Sequence, residues 1–257
     1  MRRRSPKRWL RRLTLLAVFA IGIAITAGAA WGYRTLPLRT VEVSGTVRAA
    51  ADEVVELAAL PDSVALSGVD VRLVADRVQR HPWVRSARVR RLPTGTLEIK
   101  IEERTPVALV IDGGGRPRHL LDPEGHELPL APGVSYDVPL LRGAVPEAPA
   151  TRPVPDPSLV ELLRALSEAT PEVDALISEV VYRPGDVTLR TTPVAGHPAL
   201  AVRLGAAGFA PRLERLRAFY DQAVLPRPGH RFDTIDLRFD GQVVTREAPA
   251  QAMASAQ

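Results

Sequence analysis

Five histidines and no cysteine bound the chemistry open to this sequence of 257 residues. Without thiols there is no disulfide, no Cys-ligated zinc, no iron–sulfur cluster and no thiolate nucleophile. The histidines are His81, His119, His126, His197 and His230, and no H-E-x-x-H occurs. His119 and His126 flank an expected turn, but a catalytic zinc needs a third protein ligand and none is evident. They read as ordinary surface histidines. No G-x-S-x-G offers a nucleophile elbow. Asp122 with Glu124 is turn chemistry in Asp-Pro-Glu-Gly, and Asp233 with Asp236 lies on a solvated strand face. Neither pair reads as the two carboxylates of a glycosidase cleft. Asp112-Gly113-Gly114-Gly115 is followed by Arg116-Pro117, not by the Lys-Ser/Thr and helix of a phosphate loop. These residues predict no catalytic site, no metal, no cofactor and no small-molecule substrate. What remains is binding chemistry. The hairpin Asp236–Arg246 predicts a short last strand at the edge of a small sheet. Such an edge presents unpaired backbone groups that template strand addition from another chain.

The elements that position this hairpin fall into two groups. Thr40–Ser44 alternates polar and apolar, as a half-buried strand does. Ala51, Val54, Val55 and Ala58 give one helical stripe, and Val71, Val74, Ala75 and Val78 give another behind Asp70 as N-cap. Trp83–Arg91 and Leu97, Ile99, Ile101 alternate on either side of the Pro93-Thr94-Gly95 turn. The order is β-α-α-β-β. Its two helices cover one sheet face, and Arg88 and Arg90 are expected opposite Glu98, Lys100 and Glu102 on the solvated other face.

The second group is mostly strands. Val107–Ile111, Leu120–Leu121, Leu128 and Val138–Gly143 precede a Pro-rich stretch, 144–157, that reads as a linker or exposed loop. Asp156-Pro157 starts a helix with Pro at its first position, and Leu159, Leu162, Leu163 and Leu166 form its stripe. Ser178–Tyr182 and Val187–Arg190 flank Pro184-Gly185-Asp186 as a hairpin. Leu200, Val202 and Leu204 alternate, and Phe209, Leu213, Leu216 and Tyr220 define a second helix. Ile235, Leu237 and Phe239 alternate as a strand, and Gln242–Arg246 closes the series.

The charge distribution removes another class of function. The net charge of +5 suggests a nucleic-acid binder until it is located. Seven cations (Arg2, Arg3, Arg4, Lys7, Arg8, Arg11 and Arg12) stand in residues 1–12; without them the chain holds 27 basic and 29 acidic residues, a charge of −2. A large phosphate-binding face is therefore not expected. Lys7 and Lys100 are the only lysines beside 32 arginines, a composition bias rather than a chemistry. Leu13–Tyr33 is uncharged over 21 residues, with Trp9 before it and Trp31 and Tyr33 at its end. That length spans a bilayer core at ~30 Å, and the cations keep the N-terminal side cytoplasmic. Ala27-Gly28-Ala29 resembles a signal cleavage site, but the apolar run exceeds the usual signal core of roughly 7–15 residues. A retained anchor is the stronger reading. A buried core helix would not need the cations and the flanking aromatics.

A β-α-α-β-β module behind one span resembles a POTRA domain. The run from His81 to Val110 resembles the FtsQ/DivIB family of bacterial cell-division proteins, through Pro82-Trp83-Val84, Val89-Arg90-Arg91, Pro93, Ile99, Ile101, Glu103-Arg104 and Pro106-Val107-Ala108. Further matches are Leu121-Asp122 with Gly125, Pro139–Gly143, Val202–Gly205 and Ile235–Phe239. The resemblance implies an α+β chain: a transmembrane helix, a POTRA module, and a mixed, mostly antiparallel β-domain with two helices. The divisions are a basic cytoplasmic tail 1–12, a span 13–33, a POTRA domain 38–105, a β-domain 106–247 and a disordered tail 248–257. It further implies a non-catalytic divisome scaffold at the septum, single-pass and type II, with both domains outside the cytoplasmic membrane. FtsB- and FtsL-like single-span partners would dock by strand addition, and the matching positions are Arg238, Phe239, Val243, Val244 and Arg246. Family members often carry an aromatic near Thr245 or Arg246, which this chain lacks. The alternatives are a POTRA-containing envelope transport or assembly factor, and a secreted enzyme with a cleaved signal. A transmembrane barrel needs many ~10-residue strands, which the helices after residue 150 do not leave room for.

Overall fold

A computed structural model describes residues 6–61, 63–148, 152–194, 196–227 and 230–247. The expected disordered tail and residues 1–5 of the basic tail lie outside the described residues. The chain divides into two compact units between Glu103 and Arg104.

The first unit opens with α1, Pro6–Thr35, a 30-residue helix that takes in the second half of the basic segment as well as the apolar run. Its window Arg11–Gly28 has a mean hydropathy of 1.5 and none of it is buried. Among the described residues it is the one helix long and apolar enough to cross a membrane. Strand β1 (Thr40–Ser44), helices α2 (Ala51–Ala58) and α3 (Val71–Val78), and strands β2 (Val84–Leu92) and β3 (Thr96–Glu103) follow. The small sheet has the order β1-β3-β2, with β1 parallel to β3 and β2 antiparallel to it. Asp70 caps α3 by accepting the N–H groups of Arg72 and Leu73, which satisfies two of the donors a helix start leaves open. Helix α2 has no such side-chain cap. The Glu103 carboxylate serves the turn before it, accepting N–H groups from Val47, Arg48 and Ala49 at 2.7–2.9 Å.

The inward residues Leu97, Ile99 and Ile101 of β3 are buried, as are Val54 and Ala58 of α2 and Val74 and Val78 of α3. Burial of each large aliphatic side chain stabilises the fold by roughly 1.5–3 kcal/mol. On the opposite face Arg90 pairs with Glu98 at 2.6 Å. Arg88 instead lies across from Lys100, because the antiparallel register pairs these two positions directly. His81 is buried rather than at the surface. Its Nδ1 accepts the Trp83 N–H at 3.2 Å, so Nε2 carries the proton and donates to Glu53 at 3.0 Å.

The second unit is built on a nine-stranded sheet, larger than the small sheet expected. Its strands are β4 (Ala108–Ile111), β5 (Pro117–Leu121), β6 (Glu127–Leu128), β7 (Leu140–Gly143), β8 (Ile177–Tyr182), β9 (Val187–Thr191), β10 (Ala201–Gly205), β11 (Phe232–Asp236) and β12 (Val244–Glu247). Their order is β12-β11-β10-β9-β8-β7-β4-β5-β6. The junctions β4–β7, β7–β8 and β10–β11 are parallel, and the other five are antiparallel. Helices α4 (Pro157–Ser167), the short α5 (Pro171–Asp174) and α6 (Phe209–Phe219) provide the helical side of the core. Leu159, Leu162, Leu163 and Leu166 of α4 and Phe209, Leu213 and Leu216 of α6 are buried there. A turn of π-helix, Tyr220–Val224, extends α6. The Tyr220 hydroxyl bonds Thr191 Oγ1 at 2.8 Å inside the core.

Parts of the Pro-rich stretch are tied in, against expectation. Val154 is buried and its N–H bonds Gly125 O at 2.9 Å, while Val145 and Ala148 pack on the core. Apolar residues set between prolines give these loop segments something to bury. Residues 149–151 lie outside the description.

Candidate partner-binding edge

Strand β12 closes one side of the large sheet. It pairs antiparallel with β11, matching Asp236 with Val244, Ile235 with Thr245 and Thr234 with Arg246. Among the described residues no strand pairs its outer side. Ile235 is buried toward the core, so side-chain alternation turns Thr245 inward and sends Val244 and Arg246 to the opposite face of the sheet. Val244 is 46% exposed.

The expected strand through Ile235, Leu237 and Phe239 ends earlier, at Asp236, and the last strand starts later, at Val244. The cause is a clamp after Asp236. Arg238 folds back on Asp236, with Nε 2.9 Å from Oδ1 and Nη2 2.6 Å from Oδ2. This bond holds the Asp236 carboxyl below the usual carboxylate range, against a smaller effect of burial. Leu237 is buried and its N–H still reaches Arg203 O on β10 at 3.0 Å. From there the chain leaves the sheet, carrying Phe239 out to 52% exposure, and turns through Gly241 at φ +70°. Val243 packs partly buried against the core. The five expected residues therefore divide: Val244 and Arg246 on the edge strand, Arg238 and Phe239 on the preceding loop, Val243 beneath it.

Two arginines of α6 that the motif reading passed over fix this loop. Arg215 Nη1 donates to Phe239 O at 2.8 Å, with Leu237 O and Gln242 O at 3.3 and 3.4 Å. Arg212 donates to Leu204 O and, at 3.5 Å, to Arg238 O. Their spacing of three around buried Leu213 was the available signal. Cations at i and i+3 lie on one helix face and can reach the same neighbouring loop.

The other titratable clusters have structural partners. Asp122, fully buried, accepts Arg104 Nη1 at 2.6 Å and the N–H groups of Glu124 and His126 at 3.0 and 2.7 Å. Donor atoms of Asp122, Glu124 and His126 lie within 4.8 Å of one another, a spacing that would suit a metal ion. Arg104 Nη1, also 2.9 Å from His126 Nδ1, already fills the cation's place. His119 has a different neighbour, Glu127 at 3.8 Å, and burial lowers its pKa more than that carboxylate raises it. Neither side chain of the expected surface pair is exposed, at 17% for His119 and 23% for His126. His197 is buried as well. The Tyr182 hydroxyl bonds Asp156 at 2.5 Å, and burial together with that bond pushes its pKa up to about 12.

Residues 36–104 match the model of the POTRA domain, FtsQ-type, and residues 105–246 match FtsQ/DivIB, C-terminal related. A cell division protein FtsQ of Rhodothermus marinus is 45% identical over 239 residues, covering 92% of this chain and 88% of the relative. One of Salinibacter ruber is 42% identical over 244 residues, covering 92% and 91%. The chain belongs to the FtsQ/DivIB family. That of Geotalea daltonii, 27% identical over 215 residues, lies further away. The Glu-Arg pair that carried the resemblance to FtsQ/DivIB now has a physical reading. Glu103 caps the turn after β1 in the first unit, and Arg104 neutralises buried Asp122 in the second.

Proposed function

We propose that this chain is a non-catalytic scaffold of the divisome that docks small single-span partners, FtsB- or FtsL-like, by strand addition along β12. The observation that carries this reading is the outer side of β12, unpaired among the described residues, in a chain of the FtsQ/DivIB family. Backbone groups of Val244–Glu247 supply register to an added strand, and exposed Phe239 and Val244 supply apolar contact. Arg238 and Arg246 add cations beside that contact, and Val243 supports it from below. Residues 13–33 cross the cytoplasmic membrane with the basic tail inside. The units 38–105 and 106–247 then stand outside it, at the septum, as in a type II single-pass protein.

The test uses the full chain in detergent with a purified single-span partner. Val244→Pro removes a backbone donor and Phe239→Ala removes exposed apolar surface. Each should weaken binding ~10-fold or more, about 1.4 kcal/mol, with the circular dichroism spectrum unchanged. Full affinity in both variants would remove strand addition at this edge. Depletion in a rod-shaped host should give undivided filaments; normal division, with no second copy to compensate, would remove the scaffold role.

A further inference from the structure

In the first unit, α1 and β1 are joined by a short link, residues 36–39, and backbone bonds fasten it. Leu66 N–H donates to Leu36 O at 2.8 Å, Leu38 N–H to Val64 O at 3.1 Å and Arg39 N–H to Gly95 O at 2.9 Å. Ser67 Oγ donates to Arg34 O in the last turn of α1 at 2.9 Å. Arg91 Nη2 donates to Val69 O at 2.6 Å and ties the same loop to β2. The loop 63–69 and the turn at Gly95 are thereby held against the end of the helix. Arg34 and Arg39 are exposed at this end. Neither has a carboxylate within 4.0 Å among the described residues. Glu42 is the first acid along the chain. The acids that bound the loop are Asp62, which lies outside the described residues, and Asp70, whose Oδ1 accepts the N–H groups of Arg72 and Leu73 at 3.0 and 3.2 Å. Arg39 lays its aliphatic stem over Gly95, where an added Cβ would stand 3.4 Å from its Cγ and Cδ. The link and the turn thus hold two uncompensated cations just beyond the apolar run.

Trp31 is exposed on α1, and an aromatic ring at the end of a span belongs at the level of lipid headgroups. Arg34 stands about 4.5 Å further along the axis at ~1.5 Å per residue, among the phosphates. The short link keeps Arg39 within roughly 14 Å of the helix end, and its long side chain narrows that gap. Guanidinium groups grip phosphate oxygens with paired N–H donors. We propose that Arg34 and Arg39 hold anionic phospholipid headgroups of the outer leaflet and so seat the first unit on the bilayer. The occupant follows from place and charge. The span tethers a phosphate surface beside two unpaired cations, which makes their contact intramolecular in effect. The proposal rests on the reading that residues 13–33 cross the membrane, and it is independent of strand addition at β12.

The chain has no cysteine, so Thr94→Cys, exposed beside Gly95, takes a single fluorophore. The labelled full chain is reconstituted in vesicles of phosphatidylcholine with a minor share of phosphatidylglycerol. A nitroxide quencher near the glycerol is carried by one lipid or the other, in equal amount. Quenching should be at least ~3-fold stronger when phosphatidylglycerol carries the nitroxide. The preference should vanish when Arg34→Gln and Arg39→Gln are combined, and persist in Arg88→Gln on β2 of the same unit. Alkaline extraction tests the span separately: a chain that leaves the vesicles has no span, and that reading falls and takes this proposal with it. A chain that stays but is quenched equally by both lipids would overturn the proposal alone. So would a preference that the double variant keeps, or that Arg88→Gln loses equally. Polyglutamate abolishing the preference where glycerol phosphate of equal charge does not would reassign the cations to an acidic protein segment and overturn the lipid reading.

Discussion

In the small sheet, β1 ends at Ser44 and the chain turns on Gly45 at φ +88°; in the large sheet, β7 ends on Gly143 at φ +111°. Each strand is parallel to a neighbour, β3 or β8, and a Cβ at either glycine would run into a carbonyl of that neighbour, Ile101 O or Tyr182 O. The surroundings then differ. At Gly45 a single carboxylate, Glu103 at the end of β3, gathers three backbone N–H groups just beyond the turn. At Gly143 the following loop is long, and the fastening runs through side chains: Tyr182 at the end of β8 bonds Asp156, whose other oxygen caps α4. The parallel junction β10–β11 is fastened by Leu237 N–H on Arg203 O and by Arg212. A hairpin sets register by its turn, whereas parallel neighbours joined by long crossovers do not. The parallel junctions β1–β3, β7–β8 and β10–β11 each carry a polar fastening of this kind.

The sharpest way to break this comparison is to add a methyl group at either glycine. Gly45→Ala and Gly143→Ala both drive a Cβ into a backbone carbonyl at positive φ. Each should destabilise its own sheet by ~4 kcal/mol or more, read as faster amide exchange in β1 and β3, or in β7 and β8. Slow exchange in either variant would mean the turn relaxes and the shared device is only apparent. Next comes Arg104→Met, which leaves the buried Asp122 charge without its partner. A loss of ~3–5 kcal/mol is expected in the second unit, measured by urea unfolding.

The contrast between the fastenings is sharpened by Glu103→Gln and Tyr182→Phe. Glu103→Gln weakens charge-assisted bonds to three donors and should cost ~2–3 kcal/mol. Tyr182→Phe removes one bond and should cost ~1–2 kcal/mol. The reverse order would show that the side-chain link, not the carboxylate, is the stronger fastening. The smallest effect is at Asp236. Its carboxyl is held below its ordinary value by Arg238, so the clamp contributes above the unfolded carboxylate pKa and is lost as pH falls through the lower, folded one. Amide exchange at residues 237–242 should quicken only below about pH 4; a rise at neutral pH would show that the clamp does not govern the loop.

The first unit was readable because its determinants are local. Strand β1, helices α2 and α3 and the Asp70 cap rest on periods and caps spelled out within a few residues. In the second unit the Asp156 cap and the hairpin across Pro184-Gly185-Asp186 were readable for the same reason. The breadth of the sheet was not, because β4 meets β7 and β10 meets β11 across long separations. The candidate edge was partly legible. Alternation placed Ile235 and Leu237 inward, and both are buried. Phe239 left the strand because Arg238, Arg212 and Arg215 reshape the backbone after Asp236, through contacts that involve residues distant in sequence. Arg104 with Asp122 was hidden likewise: each residue was noticed, but nothing local says that one neutralises the other.

Strand β12 follows every other strand of its sheet along the chain, and it forms one border of that sheet. Synthesis therefore lays the border down after the rest. A chain halted before Val244 ends its sheet at β11, whose outward side chains and flanking loop are different. The border in its finished form is thus a mark that the whole sheet has been synthesised, whatever follows it along the chain.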